Sequence, residues 1–320
     1  MRIIINEKYD ISEFNEGVTL DEAIDGIAYK ADISLIETRA LADIKIKKGD
    51  RIQILDIEFD TTNEVNIFKG VVWETKRSEK SKKLTLSCKE RTIYLEESED
   101  EYQFSENTAT QRLKQYCKDW NIPIGNIADT KMKLAKTVYK SSKILDMMKK
   151  DLKETVTKGG ELYKIRMGNS LELSLLGVNK KIWNLDTIVE DIDKTDSLSG
   201  AITSVKVLGK SKDDKSKSPV IGTYKKDTDK YGTLQKIKQD EKITNAKEAK
   251  SAANNMFNTG DETISVKAVK DINTIRAGDK VSLRGQELFV IDVKHDIKNV
   301  AKMDLSLGTI PYIRRKFYSE

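Results

Sequence analysis

One histidine, two cysteines and a strand-spaced trio of carboxylates are the groups in this chain whose types lend themselves to chemistry. His295 stands alone, so a catalytic triad, a His-rich metal site or a histidine general base would rest on it entirely. The spacing puts it in the turn after a strand, with neither cysteine near it. Cys88 shares the inward parity of Leu84 and Leu86, and Cys117 falls on an apolar helix stripe, which predicts two buried, reduced thiols rather than a disulfide or a metal site. Asp56, Glu58 and Asp60 alternate at strand spacing and would share one face that could hold a cation. With no further ligand type nearby, a solvated strand face is the expectation. The chain holds no Walker loop, G-x-G-x-x-G, C-x-x-C or H-E-x-x-H. A carboxylate pair of the glycosidase kind needs no sequence proximity and escapes this search among 52 acids. No catalytic, metal or cofactor residue is assigned, and a scaffold is expected rather than an enzyme.

Charge separates the partner classes. Charged residues make up 34% of the chain with a net charge of only +5, and the two signs interleave, which reads as a solvated surface rather than a nucleic-acid footprint. The densest basic run, Lys76 and Arg77 through Lys80, Lys82 and Lys83, falls in a hairpin turn, where lysines guard strand edges. A nucleic-acid binder using that run and Arg314 to Lys316 is a minor alternative. The N-terminal MRIIINEKYDISEF is too short an apolar run for a signal peptide, and nowhere do eighteen apolar residues follow one another. Synthesis in the cytoplasm without a signal peptide, and no membrane partner, are therefore expected.

The elements that would position any site are organised around Arg276 to Thr309, of which a looser version runs from Lys47 to Lys89. Each copy has a basic residue by a Gly-Asp turn, Gly49-Asp50 or Gly278-Asp279, then an alternating strand from Arg51 or Lys280. A second strand, Val71 to Thr75 or Phe289 to Val293, and a third, Leu84 to Cys88 or Met303 to Leu307, complete each copy. A lone hairpin cannot bury its own apolar face, so the pattern predicts two similar small β-barrel or sandwich modules in an α+β, mainly β chain.

Taken in order, residues 1–98 form the N-terminal β-module, in which Asp21 to Ile24 could equally open a brief helix. Residues 99–184 form an α+β middle segment. Its first helix opens with the capping-box spacing Thr108 to Gln111, carries Ala109, Leu113, Tyr116, Cys117 and Trp120 on one side, and stops before Pro123. A second helix is predicted over 142–156, followed by a hairpin around Met167 to Ser170. Residues 185–320 form the second β-module, with a mobile charged hairpin or loop at 209–230 and a helix near 245–257 that starts at Asn245. The tail, Pro311 to Glu320, either docks on a partner or frays.

This order of modules resembles the baseplate hub proteins of contractile phage tails and R-type, phage-tail-like bacteriocins, nearest those of Gram-positive prophages. The residues that carry the resemblance are the helix from Thr110-Gln111-Arg112-Leu113 to Trp120-Asn121-Ile122-Pro123, the Tyr231-Gly232-Thr233-Leu234-Gln235 stretch, and the turn Arg276-Ala277-Gly278-Asp279-Lys280-Val281. The resemblance implies a homotrimer that acts as a symmetry adaptor. Two similar modules per subunit would make a pseudo-sixfold ring joining the hexameric tail tube to the trimeric central spike, with other baseplate proteins around it. It supplies no individual interface residues. A peptidoglycan-binding or peptidoglycan-hydrolysing baseplate protein is the alternative, for which Trp120, Tyr139 and Tyr163 are the plausible starts.

Overall fold

Alternating apolar side chains draw much of this chain into strands, and a computed structural model shows how they pair; it describes all residues except 27, 212–215, 241–242, 299 and 319–320. After an opening strand at Arg2–Ile5 come β1 (Asn15–Ala23), β2 (Lys30–Ile36), β3 (Arg51–Ile57), β4 (Glu64–Ser78) and β5 (Lys83–Lys89). Helices α1 (Ala109–Asp119) and α2 (Ile144–Thr157) precede a hairpin of Tyr163–Met167 and Leu171–Leu175. Then follow β6 (Val189–Ser197), α3 (Ala246–Asn254), β7 (Asp261–Ala268), β8 (Lys280–Leu283), β9 (Gln286–Ile297), β10 (Lys302–Gly308) and α4 (Ile310–Phe317). The chain divides into two compact units, one of Met1–Asp193 with Ile264–Glu320 and one of Lys194–Thr263.

In the larger unit a 13-stranded sheet runs β6-β7-β10-β9-β1-β2-β5-β4-β3 and ends on the strands Arg2–Ile5 and Tyr9–Asp10. The closed barrels expected from the sequence are corrected here. β9 is twelve residues long and divides its work: Gln286 to Phe289 pair with β8, whereas Asp292 to Ile297 pair with Ala23 to Val18 of β1. The strand that would have closed one meander on itself instead joins it to the other.

The two meanders differ in the length of their first connection but share register at the bulge. Cys88 faces Val72 and Ser87 faces Glu74, leaving Trp73 bulged; Leu307 faces Val290 and Ser306 faces Asp292, leaving Ile291 bulged. The turns before them also match. Gly49 N donates to Val72 O and Val72 N to Asp50 O, at 2.7 and 2.8 Å, while Gly278 N donates to Val290 O and Val290 N to Asp279 O, at 2.8 and 2.9 Å. Asp50 and Asp279 each accept from the backbone N–H three residues earlier, Lys47 or Arg276, at 2.9 Å. Gly49 and Gly278 sit at φ of 90° and 87°, a left-handed conformation open to glycine at little cost.

The middle segment has its own core of Leu113, Tyr116, Leu145, Met148 and Leu171. α1 opens on a complete capping box, with Thr108 and Gln111 satisfying each other's backbone N–H. It ends at Asp119, so Trp120 falls past the buried stripe and is 37% exposed. α2 starts at Ile144 rather than 142, because Thr137–Lys143 is first taken up as a strand against Glu99–Phe104. The segment Asp21 to Ala23 is strand, held between β9 and β2, and not the start of a helix.

The smaller unit centres on Ser204–Leu208, paired antiparallel to Val220–Lys225 and parallel to Gln235–Gln239. Ala249 and Ala253 of α3 pack on Val205 and Val207, small side chains allowing the close approach. Of the hairpin or loop expected over 209–230 the hairpin is what forms, and the loop is corrected: Val220–Lys225 pairs back on Ser204–Leu208 and Thr228–Tyr231 forms a helical turn, while 212–215 lie outside the described residues. Through Phe317 the tail is folded rather than frayed, as α4, whose Tyr312 and Ile313 pack on Ile24, Val156 and Phe289.

Candidate functional site

Arg276 opens the second Gly-Asp turn, and that turn presents its guanidinium to Glu22 on β1. Nε and Nη2 meet the two Glu22 carboxylate oxygens at 2.6 and 2.9 Å, and Nη2 also reaches Glu90 Oε2 at 3.2 Å. The guanidinium lies 3.8 Å from the Tyr29 ring centroid, a cation–π contact. The middle-segment hairpin supplies the remaining charges. Lys164 Nζ sits 3.3 Å from Glu22 and donates to Ala23 O, and Arg166 donates to Asp279 Oδ1 and Ala277 O at 2.7 and 2.8 Å. Glu90 accepts from Met167 N on one oxygen and from Tyr29 N on the other. One buried network thus ties residues 22–29 and 90 of the N-terminal segment, the hairpin at 163–167 and the turn at 276–279.

Burial and charge pull against each other at each group. At Glu22 burial pushes the carboxyl up, but the Arg276 and Lys164 charges outweigh it and hold the carboxyl well below the usual range. Glu90 has less compensation: burial dominates, Arg276 opposes it, Glu22 adds repulsion, and the carboxyl is pushed up to about 7. Burial lowers Lys164, with Glu22 pulling it back. Every carboxylate oxygen of Glu22 and Glu90 has a donor from another segment, so the arrangement ties those segments together.

A second buried network lies within the middle segment. Arg112, fully buried on α1, donates to Asp151 Oδ1 at 2.7 Å, Asn107 Oδ1 at 2.6 Å and Ala135 O at 2.5 Å. Tyr139 and Tyr116 donate to the same Asp151 at 2.7 and 3.2 Å. Sequence reasoning missed this cluster, although Arg112 stands three residues after Ala109 and four before Tyr116, on the apolar stripe itself.

His295 lies within β9, opposite Leu20 and Met303, and not in a turn. Its Nδ1 is 2.6 Å from Asp271 Oδ1 and its Nε2 is 2.9 Å from Ile275 O, so both ring nitrogens face acceptors. Arg77, at the matching place in the first meander, makes the same pair of contacts: Nε to Glu37 at 2.9 Å and Nη2 to Ile46 O at 3.3 Å. The lone histidine is a strut between strand and loop.

Other residues singled out from the sequence do not converge. β3 ends at Ile57, so Asp56, Glu58 and Asp60 do not share a strand face; Asp56 binds the N-terminal ammonium at 3.1 Å, and Asp60 lies 3.8 Å from Lys181. Cys88 and Cys117 are buried free thiols, burial pushing the second up to about 11. Tyr139 and Tyr163 are buried, their hydroxyls donating to Asp151 and to Asp129 O, while Trp120 is exposed, so the three share no exposed stacking face. Among the described residues no three His, Cys, Asp or Glu side chains gather as a metal site.

The mainly β fold that these buried charges hold together is that of a prophage tail protein. The 43 kDa tail protein of prophage MuSo2 from Shewanella oneidensis matches with a TM-score of 0.70 at 13% identity, over 97% of this chain and 98% of that one. The chain belongs to the YqbQ-like family, whose sequence model matches residues 18–308. Two Bacillus subtilis (strain 168) relatives are similar in sequence. The phage-like element PBSX protein XkdQ is 29% identical over 242 residues, 70% of this chain and 69% of that protein; the uncharacterized protein YqbQ is 27% identical over 234 residues, 71% and 69%.

Proposed function

We propose that this chain is the structural hub of a contractile tail baseplate: a homotrimer in which two similar β-modules per subunit, 1–98 and 185–320 flanking the middle segment 99–184, make a pseudo-sixfold ring. The ring adapts a hexameric tail tube on one side to a trimeric central spike on the other, with other baseplate proteins around it, and it acts by holding geometry rather than by catalysis. In this reading the chain is made in the bacterial cytoplasm and built into the tail. The observation that carries the reading is the repeated register, bulge and Gly-Asp turn of the two meanders, since duplication within a subunit turns three-fold into approximate six-fold symmetry. Family membership and the tail-protein fold support it. Light scattering on the chain alone and mixed with the tube and spike proteins of the same particle tests it. A species of three times the 36.3 kDa chain mass, alone or with the spike, is expected; a monomer in every mixture contradicts it.

A further inference from the structure

The repeat is satisfied unequally at its edges. In the second meander, the edge of β9 beyond its bulge, Asp292 to Ile297, is covered by β1. In the first meander the matching edge is Glu74 to Ser78 of β4, and among the described residues no strand pairs there: β3 stops opposite Val71, and only the Gly49-Asp50 turn reaches Val72. At one end of the strand order β6 has β7 on one side and, among the described residues, no strand on the other. β6 occupies beside β7 and β10 the place that β1 occupies beside β2 and β5. One meander lacks an incoming strand, and the other has one to give.

We propose that Val189 to Asp193 of one copy pairs antiparallel with the β4 edge Glu74 to Ser78 of the next, repeating between chains the β9·β1 pairing within a chain. This deepens the trimeric-hub reading and rests on it. Three observations support it. The contact is heterologous and uses each free edge once, so it closes into a ring when the rotation allows. The charges are complementary in balance: the donated strand carries Glu190, Asp191 and Asp193, and the receiving edge and its turn carry Lys76, Arg77, Lys80 and Lys82 against Glu74 and Glu79. The receiving edge is also not obstructed by its own loop. Arg77 holds Ile46 O just as His295 holds Ile275 O, and in the second meander that contact coexists with the paired strand. The lysines that discourage indiscriminate edge pairing in a free chain then select an acidic strand in the assembly.

Hydrogen exchange on the unmodified chain, free and in its three-copy complex, tests the pairing without a substitution. Amides in both 74–78 and 189–193 are expected to gain protection, while the exposed turn at 79–82 stays unprotected. Charge reversal tests that the two segments meet each other. Lys76→Glu with Lys80→Glu and Lys82→Glu should weaken assembly at low salt by about tenfold or more, and adding Glu190→Lys, Asp191→Lys and Asp193→Lys should restore it. A three-copy complex without protection in these segments, or indifferent to the reversal, overturns this pairing and leaves the hub reading standing. Failure of the unmodified chain to form three-copy complexes with tube and spike overturns both.

Discussion

The turns at Lys47–Asp50 and Arg276–Asp279 share one backbone and differ in everything around it. In the first, Lys47 points into solvent; in the second, Arg276 is clamped between Glu22, Glu90 and the Tyr29 ring. The glycine conformation and the aspartate cap fix the turn in both, whereas the fate of the basic residue is decided by whichever segments pack on it. The comparison teaches that local chemistry specifies the repeat and long-range packing specifies which copy becomes the keystone.

The largest effect should separate those two basic residues. Arg276→Ala leaves Glu22 and Glu90 buried against fewer partners and should cost about 3–5 kcal/mol in denaturant unfolding. Lys47→Ala should stay within about 0.5 kcal/mol. Similar losses at both sites would mean that the network is not the joint described above.

Glu90 gives the next effect, with a defined sign. Its carboxyl, near 4.5 in the unfolded chain, is pushed up to about 7 by burial in the native one. Its contribution is therefore fully present below pH 4.5 and is lost as pH rises through about 7, a change on the order of 3 kcal/mol. Unfolding followed from pH 5 to 8 should show that decline, and Glu90→Gln should flatten it; a stability that rises with pH through 7 in a Glu90-dependent way would contradict the assignment.

His295 and Arg77 offer a third contrast, equal in contacts but unequal in burial. His295→Gln loses the ring that spans Asp271 and Ile275 O in a closed site and should lower stability by about 1–3 kcal/mol. Arg77→Gln, at a half-exposed pair, should lower it by less than about 1 kcal/mol. The smallest contrast lies in the glycines. Both Gly→Ala changes meet the positive φ, at roughly 1 kcal/mol, but a Cβ at Gly278 also lies 3.0 Å from Leu176 Cδ1 and 3.1 Å from Lys164 Cδ, whereas one at Gly49 meets nothing within 4 Å. Thermal melts should rank Gly278→Ala below Gly49→Ala, and the reverse order would say that the turns are not packed as described.

Much of the fold was legible because it is local. The Gly-Asp turns, the alternation of Leu84, Leu86 and Cys88, and the Thr108–Gln111 box each act within a few residues, so sequence spacing carries them. What escaped depends on pairings between distant segments. Glu22 and Arg276 are 254 residues apart, and in a chain that is 34% charged nothing marks those two as buried, except that Glu22 keeps the parity of Val18 and Leu20. The open sheet was hidden for the same reason: β9 alternates like any strand, and only its pairing with β1 shows that it serves both meanders. His295 reads as a turn residue because Lys294 and Asp296 beside it are polar, although on β9 they alternate with Val293, His295 and Ile297.

The most direct test of the central claim, that the two meanders are alternate versions of one ring position, is an electron-microscopy reconstruction of the assembled particle viewed along its axis. The account expects six similar β-densities around the channel, alternating between first and second meanders of three chains, with the β4 edge of each chain against the β6 strand of its neighbour. Three isolated densities, or a ring in which Glu74 to Ser78 faces solvent in every copy, would contradict it.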